Sequence, residues 1–216
     1  MDSLQKFVLG FDGKFGFLQG LEERRTRWFF RTFPIAAWLA GSEVILDIGC
    51  GSFDLTNEMS KSGAFIASVD WQDLRRLRYR KMSNAFFCLA KGEALPFRNN
   101  AFDAVTLFWM LHHSENPHLV LSEAIRVLRP NGTVIILEDV LKTPSFLNRK
   151  VVTFYDRLIN LDLSGPANKN DSKEGWLRSF DQFPILQLRD VVESPAVPFL
   201  TSFTFCAIRL KKNPRN

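Results

Sequence analysis

From Val44 onward the chain repeats one rhythm of short apolar run, loop and helix-like stretch, and this alternation restricts the possible folds more than any other feature. Runs at Val44–Ile48, Phe65–Asp70, Ala85–Leu89, Phe102–Trp109 and Thr133–Leu137 read as buried strands. Stretches at Phe53–Ser60, at the strongly basic Asp73–Met82 and from Pro117 to Leu128 read as helices, the last capped by Asn116 and stopped by Pro130-Asn131-Gly132. Strands joined by crossover helices lie parallel and bury both faces, so the prediction is a doubly wound α/β sheet. After the fifth run the rhythm changes: Ser145–Leu161 reads as a helix, Ser164–Asp171 as a polar loop and Trp176 as part of a short further segment. The final runs, Ile185–Val192 and Phe199–Leu210, are joined by a Pro195/Pro198 loop too short for a crossover helix, so they should pair antiparallel.

At 216 residues, with 46% hydrophobic and 24% charged residues, the chain suits one domain with a full core and not a disordered or fibrous protein. The longest apolar stretch, Ala104–Leu111, is far short of a membrane span, and the start of the chain lacks the basic-then-apolar order of a signal peptide. A soluble cytoplasmic protein is expected. Cys50, Cys88 and Cys206 lie far apart, which suits neither a disulfide framework nor a metal site. The net charge of +5 permits an anionic partner without requiring one. Twenty-one Phe against two Tyr favour core packing or an apolar cavity. Residues 1–41, with Phe7, Phe11, Phe15, Trp28, Phe29 and Trp38, are expected to form a helical cap, and Arg24, Arg25, Arg27 and Arg31 beside these aromatics would allow shallow contact with a membrane surface.

The sharpest local signal is Val-Ile-Leu-Asp-Ile-Gly-Cys-Gly-Ser at residues 44–52. A strand carries Asp47 to its carboxyl end, and glycines then turn the backbone tightly enough for a ligand to lie against the main chain. The carboxylate suits an ammonium group and would repel a pyrophosphate. Taken alone, the segment also fits an ordinary strand-to-helix turn. It resembles motif I, Asp-x-Gly-x-Gly-x-Gly, of the class I S-adenosylmethionine-dependent methyltransferases. Three more segments follow in that family's order: Ser68-Val69-Asp70-Trp71; Glu93-Ala94-Leu95-Pro96-Phe97 with Phe102-Asp103-Ala104-Val105; and Leu111-His112-His113 with Glu123 through Thr133. The last two are similar to the small-molecule, type 11 branch.

The resemblance implies a single Rossmann-like domain over residues 1–216, with seven mostly parallel strands and an antiparallel last strand. Residues 1–41 and a 141–183 insertion would cover the carboxyl edge and select the substrate. S-adenosylmethionine is the implied cofactor. Asp47, Gly49, Cys50, Gly51 and Ser52 would hold its amino-acid end, Asp70 the ribose, and Trp71 with Glu93, Ala94 and Leu95 the adenine. Phe108 and Trp109 would line the cavity. Two residues depart from the pattern: Phe53 stands at the third glycine, and Lys91 where an Asp commonly meets the adenine amine.

Methyl transfer needs mainly orientation and exclusion of water, with a base only when the acceptor must lose a proton. His112 is the candidate base. Glu138 and Asp139 follow the fifth strand and would orient an acceptor or cap the next helix. The expected acceptor is a small molecule, apolar or aromatic. Two other readings are an RNA methyltransferase, suggested by the basic run Arg75–Lys81, and a non-catalytic binding protein, suggested by Phe53 and Lys91. The run lacks an aromatic stacking platform and reads first as a solvated helix face.

Overall fold

The computed structural model describes residues 16–143, 145–160, 169–197 and 200–214. Seven strands, β1 (Val44–Ile48), β2 (Phe65–Asp70), β3 (Ala85–Leu89), β4 (Phe102–Phe108), β5 (Leu128–Leu141), β6 (Leu186–Val197) and β7 (Leu200–Lys212), form one sheet in the order β3-β2-β1-β4-β5-β7-β6. The strands from β1 to β5 run parallel, β7 is antiparallel to β5, and β6 is antiparallel to β7. The doubly wound sheet and its reversed last strand are as expected.

Side chains alternate across each strand, and both sides are apolar, so both faces need cover. On one face Leu46, Ile48, Val105, Leu107, Val134 and Ile136 pack against α4 (Pro117–Val127) and α6 (Lys173–Phe180). On the other, Ile45, Ile66, Ala104, Phe108, Ile135 and Leu137 meet Phe29 of α1 (Gly16–Thr32), Phe33 just after it, Ile35 of α2 (Ile35–Trp38), Met59 of α3 (Asp54–Ser60) and Val152 of α5 (Phe146–Asn160). Asn116 caps α4 by accepting the Leu119 N–H, with Pro117 in the first turn, as the sequence suggested. The loop from β3 to β4 has no crossover helix and is tied to α4 instead. Glu123 accepts the Leu95 N–H at 2.7 Å, and Arg126 donates to the carbonyls of Leu95 and Phe97 at 3.0 and 2.7 Å.

The structure corrects three local expectations. Asp73–Met82 is not a helix: only Leu77–Tyr79 forms a short 3-10 turn. Arginines at 75, 76, 78 and 80 would repel one another on adjacent turns of a helix. Here they spread to two acids, Arg75 and Arg80 to Asp73 and Arg76 and Arg78 to Asp54. Secondly, α3 begins at Asp54, because Phe53 holds a left-handed φ of 76°. Thirdly, Pro130-Asn131-Gly132 lies within β5, whose pairing jumps from Phe102–Leu128 to Ala104–Thr133, with Asn131 at φ 62°. Phe7, Phe11, Phe15 and most of the loop expected at Ser164–Asp171 lie outside the described residues. Among the described residues no helix is long and apolar enough to cross a membrane.

Candidate functional site

β1 has β2 on one side and β4 on the other, so successive strands leave it in opposite directions and open a crevice at its carboxyl end. Residues 49–52 form one lip. The N–H groups of Gly49 and Cys50 donate to the Val69 carbonyl at 2.8 and 3.2 Å, and that of Gly51 to the Asp70 carboxylate at 2.9 Å. Gly49 has φ 76°, and a Cβ there would fall 2.6 Å from Cβ of Met110, where the chain leaves β4. At Gly51 an added Cβ would meet nothing within 4 Å, so this side of the loop is open.

Phe53 does not fill that opening. Its ring, 1% exposed, packs beneath the loop with Cys50, Tyr79 and Phe87, and the Arg75 guanidinium lies 5.7 Å from the ring centroid. The backbone thus keeps the left-handed turn of a glycine while the side chain joins the core. Strain of roughly 1–3 kcal/mol at such a φ is offset by burial of a full aromatic ring.

Two buried carboxylates face the loop. Asp47 accepts from the hydroxyls of Thr56 at 2.5 Å and Thr106 at 2.9 Å. Burial, reinforced by the nearby charge of Asp70 and countered by the two hydroxyls, pushes its pKa up to about 6. Asp70 is raised by burial too, against the backbone N–H groups of Gly51, Gln72 and Trp71 that bond to it. Trp71 follows directly and is 67% exposed. On the next loop, Glu93 accepts from the Ser114 hydroxyl at 2.5 Å. Partial burial raises its pKa, but that hydroxyl, backbone N–H groups and the charge of Lys91 together hold it below the usual carboxylate range. Ala94 is exposed, whereas Leu95 is buried and anchored to Glu123. Met110 touches the space at both Gly49 and Gly92 and so joins these two loops, a role the sequence reading missed.

The β4–β5 side is built differently. Phe108 is buried in the core beneath the edge. Trp109, at φ 50°, donates its indole N–H to Asp139 at 2.9 Å and packs its ring on Phe29 at 4.4 Å and Phe205 at 5.8 Å between centroids. His112 is buried, with Nδ1 bonded to the fully buried Glu138 carboxylate, which also accepts the Leu111 N–H at 2.8 Å. His113 is exposed. The returning segment 169–171 crosses this edge: the Lys169 N–H donates to the His112 carbonyl at 3.0 Å, and the Leu141 N–H to the Asp171 carbonyl at 2.9 Å. Between them Asn170 is 1% exposed, and neither end of its side-chain amide has a hydrogen-bond partner among the described residues. In the sequence it was one polar residue of a loop, with nothing to single it out.

A hollow of about 250 Å³ lies elsewhere, between α1 and α3, lined by Thr26, Asp54, Asn57, Glu58, Lys61 and Arg78. Its lining is about half apolar and its charges are partly neutralised by the Asp54–Arg78 ion pair, so the crevice with its open glycine and buried acids is the better ligand site. Among the described residues no cluster of His, Cys, Asp or Glu is arranged to hold a metal ion.

Residues 46–136, which span both lips of the crevice, match the family model for the methyltransferase domain. The match covers 91 of the 216 residues, so it is a likeness over that central part of the chain. A demethylmenaquinone methyltransferase from Tropheryma whipplei (strain Twist) is 32% identical over 152 residues, covering 63% of this chain and 61% of the relative. The chain spans 42% to 65% of the length of such curated relatives. Among solved structures, the chain is similar to geranyl diphosphate C-methyltransferase from Streptomyces coelicolor A3(2), with a TM-score of 0.66, 15% identity, and coverage of 89% of this chain and 78% of that one. It is also similar to the cyclase SpnF, with a TM-score of 0.67, 16% identity, and coverage of 88% and 80%. At those identities the likeness is one of fold.

Proposed function

We propose that the chain transfers a methyl group from S-adenosylmethionine to a small apolar or aromatic acceptor. The observation that carries this reading is the junction of Gly51 with Asp70, where an open stretch of backbone lies beside a buried carboxylate and an exposed Trp. The residues present fit the cofactor, since the ring of Phe53 lies beneath the loop and leaves the open side clear. Asp70 offers acceptors suited to a vicinal diol, and Trp71 a flat apolar surface for a base. Glu93, held ionised, suits the adenine amine in place of the missing Asp, and Ala94 and Leu95 complete that wall. Asp47 stands behind Gly49, Cys50, Gly51 and Ser52, where a nearby ammonium group would favour its charged form.

The bound cofactor supplies an activated sulfonium methyl group. The chain positions the acceptor and keeps water away from it. If the acceptor must lose a proton, His112 is the base. The Glu138 carboxylate on Nδ1 holds the imidazole in place. An apolar acceptor agrees with the names of the relatives, one acting on demethylmenaquinone and another on geranyl diphosphate. It also agrees with the aromatic cluster of Phe29, Trp109 and Phe205 beside the edge. The arginines that suggested RNA are engaged with Asp54 and Asp73. Three free cysteines, two of them buried, suit a cytoplasmic location.

Calorimetric titration with S-adenosylmethionine should give saturable binding, and labelled methyl should pass to a naphthoquinol acceptor. Absence of heat at millimolar cofactor would overturn the enzyme reading. Labelling of total RNA at a specific base would overturn the acceptor class.

A further inference from the structure

α1 and α5 cover the same face of the sheet, α1 through Phe29 and α5 through Val152. A helix that buries one side normally turns polar on the other. On α5 the outward side instead presents Phe146, Leu147 and Phe154, which are 75%, 69% and 65% exposed. Lys150 lies among them, its ammonium 4.4 Å from the centre of the Phe146 ring. On α1, Trp28 is partly exposed among Arg24, Arg25, Arg27 and Arg31. Over their full lengths the two helices carry seven basic residues against the three acids Glu22, Glu23 and Asp156.

We propose that the outward sides of α1 and α5 form one docking surface for an anionic lipid bilayer. Large apolar side chains interleaved with Lys and Arg, on helices too short and too polar to span, describe an element that lies in a membrane interface. The charge selects among occupants. A second copy docked across a two-fold axis would set this basic surface against itself. A nucleic acid would satisfy the cations but leave Leu147 without an apolar partner. A bilayer with anionic headgroups accepts both, with the cations at phosphate depth and the Phe and Leu side chains below.

The location adds a consequence for the site. α5 follows directly from the carboxyl end of β5, and the Arg149 side chain bonds the carbonyl of Asn170 on the segment that crosses the crevice. Docking through α5 therefore holds the crevice close to the lipid surface, so an apolar acceptor has a short route from the bilayer. The docking itself does not depend on methyl transfer.

The test is flotation of the full chain with vesicles of phosphatidylcholine alone and of phosphatidylcholine with phosphatidylglycerol. Binding is expected to the second and to weaken as salt rises. The triple exchange Phe146→Ser, Leu147→Ser, Phe154→Ser should lower affinity by at least about tenfold while leaving the melting temperature within about two degrees. The single exchanges Phe154→Ser and Lys150→Glu, less demanding on folding, should each lower it about threefold. The proposal is overturned if the wild type ignores phosphatidylglycerol vesicles or if the exchanges float like the wild type. It is also overturned if sedimentation finds a dimer that the triple exchange dissociates, since a second copy would then cover the surface.

Discussion

The two halves of the carboxyl edge use their acids in opposite ways. On the β1–β2 side, Asp47 and Asp70 are buried among hydroxyl and backbone N–H groups and their pKa values are raised, so their ionised forms are under-compensated by the protein. Beside Asp70 the loop is open at Gly51, and Trp71 stands in solvent. On the β4–β5 side, Glu138 closes on His112 and the Leu111 N–H, and Asp139 on the Trp109 indole. A carboxylate left short of partners next to an opening costs stability and is completed by a cationic or hydroxyl-bearing ligand. One closed on an imidazole fixes a side chain in place. The contrast separates a half that is open beside its acids from a half whose acids are closed on neighbouring side chains.

Four exchanges can break or sharpen that division. The largest effect is expected from Glu138→Ala, which leaves His112 and the Leu111 N–H buried without their shared acceptor and should lower stability by about 3–5 kcal/mol in urea unfolding. The folded fraction should keep its affinity for S-adenosylmethionine within about twofold. A large loss of cofactor affinity would mean that the two halves are coupled.

Asp47→Asn comes next, and its effect depends on pH. The folded pKa of about 6 lies above the ordinary 3.8, so the folded protein holds this proton more tightly than the unfolded chain does. The wild type therefore loses stability as pH rises through that window, by about 3 kcal/mol once above it. The Asn variant has no such loss. It should be the more stable protein at pH 7, with the difference closing toward pH 4, while binding cofactor more weakly. Equal stability of the two proteins at both pH values would show that Asp47 carries no such penalty.

Asp70→Ala should weaken cofactor binding by at least about tenfold, equivalent to about 1.4 kcal/mol, in calorimetry. An unchanged dissociation constant would remove Asp70 from the ribose role. The smallest change is expected from Trp71→Ala: about threefold to tenfold in cofactor affinity, as for the loss of one stacking surface, with an unchanged melting temperature because the side chain is 67% exposed. A drop in melting temperature would recast Trp71 as a packing residue.

The strands were legible because buried parallel strands are written as short apolar runs, and each of the seven overlaps one of those runs, although β5 starts earlier, at Leu128, and β6 runs on through Pro195 to Val197. The glycine turn and the acids that end β1 and β2 were legible for a similar reason, since their chemistry is local. What stayed hidden depended on distant partners. The run Arg75–Arg80 reads as a helix by composition, but its form is set partly by Asp54, more than twenty residues upstream. Whether Phe53 blocked or spared the crevice turned on one left-handed φ and on a nest of Cys50, Tyr79 and Phe87. Met110 and Asn170 gave no signal, because one acts by filling the space of two glycines and the other by where a returning segment happens to pass.

The close passage of Met110 over Gly49 limits how this scaffold can change. A single methyl group added at position 49 would sit 2.6 Å from the Met110 Cβ and wedge the exit of β4 away from the loop. The floor of the crevice is thus fixed to the width of one hydrogen atom. Any widening at this end of the sheet must therefore come from somewhere other than the Gly49–Met110 contact.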